Sequence, residues 1–527
     1  MKKSFWSFII LSSFFSAALF GQGSLSGSLE ANTNFYMRDT AIGASGTPHY
    51  DNLLSGTDAW LSIIYSNRDW GLTAGGRFDL FNNSNLHDPT KAYTGAGIGR
   101  LYIEKEIGKL DITAGHFYEQ FGSGITFRAY EARSLGIDNA VLGILLKYQF
   151  NNNWHVKAFT GKQKNLYSTY EPVIKGANVE GFIKISDKVS VMPGLSLVDR
   201  TMDQASMDVL VSNINSYDLA DRFVPKYNGF AYSFYNTLNV QSFKWYVEYA
   251  GKTHEAVPDY SGKLLDKPGS VLYSSLSWSK KGIGITGQVK RTDHYEFRTS
   301  PNEKLNKGLL NYIPSLTRTN ASPLTARYNA ATQYIGEMAY EADLVARPSK
   351  AISLVANFSH ITDLQGNLLF NEVYAELEYK KGRNLRINAG TQTVKYNQLV
   401  YENEGDSMVT TLTPFIELVY KFDRKKNIRT AFQYMANKQD FGSWLYGLAE
   451  FSIAPHWSFA ASDLWNFKPL KTPQAQHYYS FFGAYTHGAN RFTLSYVKQV
   501  EGIVCTGGVC RFEPAFSGIK FTVNSTF

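Results

Sequence analysis

Two stretches of this chain carry residues whose types and spacing could do chemistry. Cys505 and Cys510, the only cysteines, bracket Thr506-Gly507-Gly508-Val509. Two thiols around a Gly-Gly turn can meet disulfide geometry in an oxidising compartment. With no further Cys and no nearby His the pair makes a poor zinc site, and redox catalysis would use C-x-x-C. The pair is read as a disulfide that stiffens a loop tip. The second stretch runs from Gly115 to Ala140, where Gly122-Ser123-Gly124 precedes Arg128, Glu131, Arg133 and Asp138. In a loop folded into a lumen these charges would form an ion-paired constriction or a plug; on a surface loop they would be paired or solvated. G-x-S-x-G, H-E-x-x-H and the phosphate-binding G-x-x-x-x-G-K-[ST] are all missing, and the ten His are scattered. The chain is therefore read as no enzyme, with no catalytic, cofactor-binding or metal-ligating residue assigned and no cofactor expected.

The elements that must position those residues are strands. In Asn371 to Lys381, Val373, Ala375, Leu377 and Tyr379 fall on one face and Glu372, Glu376, Glu378 and Lys380 on the other. A helix would scatter these charges around its axis, whereas a strand separates them. The split recurs at Ile352, Leu354, Ala356 and Phe358 against Ser353, Asn357 and Ser359, and at Phe492, Leu494 and Tyr496 against Thr493 and Ser495. Short turn sequences such as Asn67-Arg68-Asp69, Ile107-Gly108-Lys109, Lys280-Lys281-Gly282 and Gly488-Ala489-Asn490 alternate with long polar segments, the largest being Asp199 to Tyr227 and Asp293 to Tyr334. That asymmetry predicts an all-β fold: a large antiparallel transmembrane β-barrel of about 24 strands, roughly 22–26, with short periplasmic turns and long extracellular loops. Met207, Leu210 and Val211 stand at helical spacing in the first long segment, predicting a short helix at the mouth. The second segment combines Arg298, Lys304, Lys307, Arg318 and Arg327 with Tyr312 and Tyr328, and is read as a solvated loop able to meet anionic sugars.

The ends of the chain agree with export to an outer membrane. Met1-Lys2-Lys3 precedes the uncharged apolar run Phe5 to Phe20, and Gly21 offers a small residue for cleavage. Residues 1–21 are read as a signal peptide and 22–527 as a single barrel domain. The run is short for a membrane helix, which needs about 20 residues. An exported chain without such a helix can cross lipid only as a closed barrel. The last segment, IKFTVNSTF, sets Ile519, Phe521 and Val523 on one face and ends on Phe527, a pattern that resembles the assembly signal of outer-membrane barrels. Aromatics at 15% suit two interfacial girdles. The net charge of +8 could favour anions in a lumen, but many Lys and Arg stand in the short turns, where they can snorkel toward phosphate headgroups.

The run YEQFGSG from Tyr118, followed by RAYEARSLGIDNA from Arg128, resembles a signature of uncharacterised outer-membrane β-barrels of Bacteroidetes-type bacteria. The resemblance covers Tyr118 to Ala140 and implies fold and location, with no activity or binding residues to carry over. The leading expectation is a porin-like passive channel or solute uptake path in the Gram-negative outer membrane. The alternative is an accessory subunit of an outer-membrane assembly or secretion complex, its lumen blocked by inward-folded loops. Expected partners are outer-membrane lipid and lipopolysaccharide, the barrel-assembly machinery and, under the alternative, other outer-membrane proteins. Nucleic acid is implausible outside the cell.

Overall fold

The period-two pattern is realised as a ring of strands. The computed structural model describes residues 23–527 apart from 260, 305, 407, 507 and 508, with the backbone alone at 503–506, 509 and 510. The expected signal peptide lies outside these residues. A 25-stranded sheet forms the wall. Ile183–Ser186 continues Ser168–Gly181 after one interrupting residue, and counting the two as one gives a closed antiparallel barrel of 24 strands. The first strand, Gly23–Tyr36, closes on the last, Phe516–Thr526, with Ser28 opposite Thr526 and Tyr36 opposite Gly518. Closure leaves no edge of unpaired N–H and C=O groups, the condition for strands to stand in hydrocarbon.

The two faces of the wall separate as the alternation requires. In Leu368–Lys381, Val373 and Leu377 are exposed on the exterior while Glu372 is 1% exposed in the lumen. Phe358 points out where Asn357 and Ser359 are buried inside. The exterior is apolar over its height, and exposed Phe150, Phe182, Phe243, Tyr420 and Trp457 each stand within a few residues of a tight turn, as in an interfacial girdle. No helix among the described residues is long and apolar enough to cross a membrane.

The short turns read from the sequence, such as those at 68–71, 108–109, 281–282 and 488–489, all fall at the end of the barrel that holds Gly23 and Thr526. A further one, Gln241-Ser242, joins Asn228–Val240 to Phe243–Pro258 with Gln241 at φ +53°. At the opposite end the connections vary more than expected, since 166–167, 259–263 and 363–367 are short as well. The segment after Thr201 does form a helix, Gln204–Asn215, started by Asp203, whose carboxylate accepts from the Ser206 amide at 3.1 Å. Its buried stripe is Met207, Leu210 and Ile214, packed with Met202, Ala256 and Leu264. Val211 is not part of it. Its side chain is exposed, because the face toward the barrel follows positions three and seven after Met207.

The largest departure from the sequence reading is the segment 294–335. It is not a solvated external loop. Tyr295, Phe297, Leu310, Ile313, Leu316, Leu324 and Tyr328 are all buried, and the segment runs through the lumen. Phe297 and Leu310 share an apolar cluster with Phe159, Ile174 and Val198 of one part of the wall, while Leu316, Leu324 and Tyr328 share another with Tyr396, Trp444 and Phe516 of a different part.

Candidate functional site

The lumen is filled from two places in the chain, and wall residues receive both. The first inward segment, 118–140, leaves the strand Leu110–Phe117 and doubles back as a hairpin, Glu119–Phe121 pairing with Phe127–Ala129. Gly122 (φ +53°) and Gly124 (φ +99°) make the reversal, in conformations that favour glycine. Phe121 and Phe127 then meet Phe159 of the wall, the Phe127 and Phe159 rings 4.5 Å apart. Full burial of a Phe side chain contributes about 1.5–3 kcal/mol, so this aromatic contact is a main anchor of the hairpin. At the tip, the Ser123 amide and hydroxyl both donate to Glu248 Oε2, at 3.1 and 2.5 Å.

The charged residues singled out in the sequence divide into two sets. Glu131, Arg133 and Asp138 join one network with wall residues. Arg77 donates to both oxygens of Asp79 at 2.6 and 2.8 Å, to Glu131 at 2.6 Å and to Asp138 at 2.6 Å. Arg133 bridges Glu131 at 2.6 Å and Glu30 of the first strand at 2.9 Å. Lys164 also pairs with Asp138, and the Tyr118 hydroxyl donates to Asp138 at 2.8 Å. Burial opposes the charge on Asp138, but Lys164 and Arg77 outweigh it and hold its carboxyl down at about 2. Arg128 lies outside this network. Its guanidinium sits 4.3 Å from the Tyr130 ring centre and 4.2 Å from that of Tyr312, so it ties the first inward segment to the second by cation–π contact.

Wall side chains that the sequence reading did not single out hold the second segment by its backbone. Gln163 donates to the Leu309 carbonyl at 2.8 Å, Gln392 to that of Thr325 at 3.0 Å, and Lys252 to that of Glu296 at 2.6 Å. The Leu324 amide donates to Gln433 Oε1 at 3.1 Å. Arg200 and Lys252 both pair with Glu255 at 2.6 Å in the buried wall. The two inward segments also bond each other, the Arg128 amide to the Leu310 carbonyl at 2.8 Å and the Tyr312 amide to the Gly124 carbonyl at 2.9 Å. One sequence signal of this arrangement exists. The first part of Val141–Asn151, residues 141–146, is apolar on both faces, with Leu142, Ile144 and Leu146 outside and Val141 and Leu145 inside, as befits a stretch covered on both sides.

The inward hairpin stands between two chambers. One, of about 910 Å³, reaches the tight-turn end at Lys109 and Asn152 and has Gly122 and Ser123 in its lining. The other, of about 590 Å³, lies toward the loop end and is lined by Tyr130, Arg133 and Asp138 of the same segment. They share no lining residue among those described. Among the described residues no group of three or more His, Cys, Asp or Glu is arranged to hold a metal ion.

Backbone pairing sets Cys505 opposite Cys510 between Gly502–Thr506 and Val509–Glu513, while the expected disulfide falls on side chains outside those described. In the last strand Phe521 and Ile519 are exposed on the exterior, and Phe527 and Gly27 exchange backbone hydrogen bonds of 2.7 and 3.0 Å. A Cβ on Gly27 would come within 2.3 Å of the Phe527 ring, so the glycine makes room for the terminal aromatic.

The fold and its contents define a large closed β-barrel plugged by its own inward-folded segments. Over residues 1–527 the chain belongs to a family of unknown function, DUF6029. No curated protein matches it. Solved structures similar to it include the siderophore receptor PirA from Pseudomonas aeruginosa, 10% identical over 95% of this chain and 80% of that chain with a TM-score of 0.41. The copper transporter OprC is 11% identical over 97% and 82%, with a TM-score of 0.42. OpdK of Pseudomonas aeruginosa, solved with vanillate, is 9% identical over 83% and 98%, with a TM-score of 0.36.

Proposed function

We propose that this protein is an integral barrel of the Gram-negative outer membrane that gives a small solute a passive path through a lumen narrowed by its own chain. The observation that carries the reading is the stacking of two chambers on either side of the 118–140 hairpin. A lumen with a chamber on each side of a constriction seated by aromatic contacts and ion pairs is the arrangement of a restricted path. The membrane location is supported by the apolar exterior, the aromatic girdle and the tight turns gathered at the end that holds both sheet termini. Arg133, Glu131 and Asp138 act in this reading as the ionic fastening of the constriction, with Arg128 as its link to the second inward segment. The basic turns at 280–281 and 380–383 would face lipid phosphates, and the terminal Phe521, Val523 and Phe527 would be presented to the assembly machinery.

Planar-bilayer recording of the purified full-length protein tests this. Small stepwise conductance is expected, rising when residues 119–139 are replaced by a short Gly-Ser linker. Silence from both forms, with other outer-membrane proteins retained in mild detergent, would replace the channel by an accessory subunit.

A further inference from the structure

The chamber toward the loop end has a volume within the range of small-molecule sites, about 300–1,000 Å³. Loop-end connections contribute His87, Tyr167 and Phe512, the first inward segment Tyr130, and the second Tyr312 and Tyr334. Two properties restrict what it would take.

The first is that its charges already satisfy one another. Arg77 is held by Asp79, Glu131 and Asp138, Lys164 by Asp138, Arg133 by Glu131 and Glu30, Arg298 by Glu296, and Arg511 by Glu513. His87 is neutral at pH 7, because burial, then Lys164 and Arg511, push it down to about 4. Lys307 also lines the chamber, but it is exposed and its charge is screened by water and salt. Paired charges leave little net field to hold an ion. Carboxylates and guanidinium groups nevertheless keep acceptor and donor capacity for a neutral molecule that offers both. Two lining residues also carry buried polar atoms without a partner: Gln163 Oε1, on a side chain 1% exposed, accepts no hydrogen bond, and Arg298 Nε donates none. Hydroxyl groups can meet an orphaned acceptor and an orphaned donor alike.

The second property is the supply of flat aromatic faces. Phe512, Tyr167 and Tyr334 offer rings that can bury apolar surface, with the tyrosine hydroxyls staying polar, while Tyr130 and Tyr312 already take Arg128 on one face. A molecule with C–H faces and a rim of hydroxyls matches both properties. We infer that this chamber binds a neutral saccharide. The inference rests on the uptake reading and names its class of solute.

Isothermal titration of the detergent-solubilised full-length protein tests it, followed in parallel by tryptophan fluorescence, since Trp60 lines the chamber. The probes are maltose, cellobiose and N,N′-diacetylchitobiose, with cellobiouronate as the anionic counterpart. At least one neutral disaccharide should bind, and cellobiose should bind more tightly than cellobiouronate. Phe512→Ala, at an exposed ring, should weaken the neutral sugar about tenfold, the worth of one aromatic contact. Gln163→Met should weaken it too, with retained heat-modifiable gel mobility showing an intact barrel. Failure of all three neutral sugars at millimolar concentration would overturn the inference, as would tighter binding of the uronate or variants of unchanged affinity. Binding is read here without transport. Sugar binding without conductance would refute the uptake reading alone, and conductance without sugar binding the saccharide inference alone.

Discussion

Lys290 and Glu337 meet at 2.6 Å where the longer inward segment leaves the wall and rejoins it, and neither side chain has exposed surface. Lys290 also donates to Thr332 Oγ1 at 2.9 Å and to the Pro314 carbonyl, so one ammonium closes the neck of the segment and grips its interior. Removing one member of a buried pair strands the other charge and costs about 3–5 kcal/mol, whereas replacing both by apolar residues is close to neutral. Lys290→Met is therefore expected to lower the unfolding temperature of the solubilised barrel markedly, and Lys290→Met with Glu337→Leu to recover most of the loss. A double variant as unstable as the single one would show that the neck is held by something else.

Acid should loosen the first inward segment. Asp138 is held down at about 2, below its ordinary value near 4. A carboxylate depressed in the folded state stabilises it fully above the ordinary value and ceases to do so as pH falls through the folded one. Conductance should be flat from pH 7 to about 5 and rise between about 4 and 2. Asp138→Asn should show the raised level at neutral pH. Matching profiles from the variant and the natural protein would remove Asp138 from the fastening.

Gly122 should tolerate no side chain. It combines φ +53° with a Cβ position 3.0 Å from Glu248 Oε1 and 3.1 Å from the Tyr235 ring. Gly122→Val pays both the left-handed penalty, about 1–2 kcal/mol, and displacement of the hairpin from its seat. Amide exchange at Ser123, protected by Glu248 in the natural protein, should quicken by at least about tenfold. Unchanged protection would mean the tip is held elsewhere.

The terminal aromatic offers a prediction about biogenesis. Phe527→Ala, and equally Gly27→Leu, should reduce the heat-modifiable fraction recovered from outer membranes, since both disturb the approach of the Phe527 ring to Gly27. Normal yields from both would limit Phe527 to an ordinary strand end.

The cysteine pair is checked by mass. Cys505 and Cys510 are expected to resist alkylation until a reductant is added, giving an intact mass two hydrogens below that of the dithiol. Two alkylated thiols in the unreduced protein would refute the staple.

Legibility in the sequence followed the range of the interactions. In Leu368–Lys381 the faces are readable because Val373, Leu377 and Glu372 need only the local pleat to be sorted. Glu131, Arg133 and Asp138 were recognisable as a charge cluster, but their partners were not. Glu30, Arg77 and Lys164 stand on other strands, and their approach depends on the register of the closed ring. The interior course of 294–335 was hidden for a related reason. By composition its Arg and Tyr residues suit water, and its buried backbone is satisfied by distant groups, Gln163, Lys252, Gln392 and Gln433 among them, that its own sequence does not reveal. Arg128 shows the limit of proximity in sequence, since it stands beside Glu131 in the chain yet pairs with rings.

The longer inward segment is continuous at both ends with neighbouring strands, Ile283–Asp293 and Gly336–Ala346. It is a tethered stopper, with both ends fixed a strand's width apart in the wall. Such a piece cannot be ejected or exchanged; to clear its part of the lumen it must swing or refold in place. The same tether keeps the detached piece at high effective concentration over its seat, which favours reclosure.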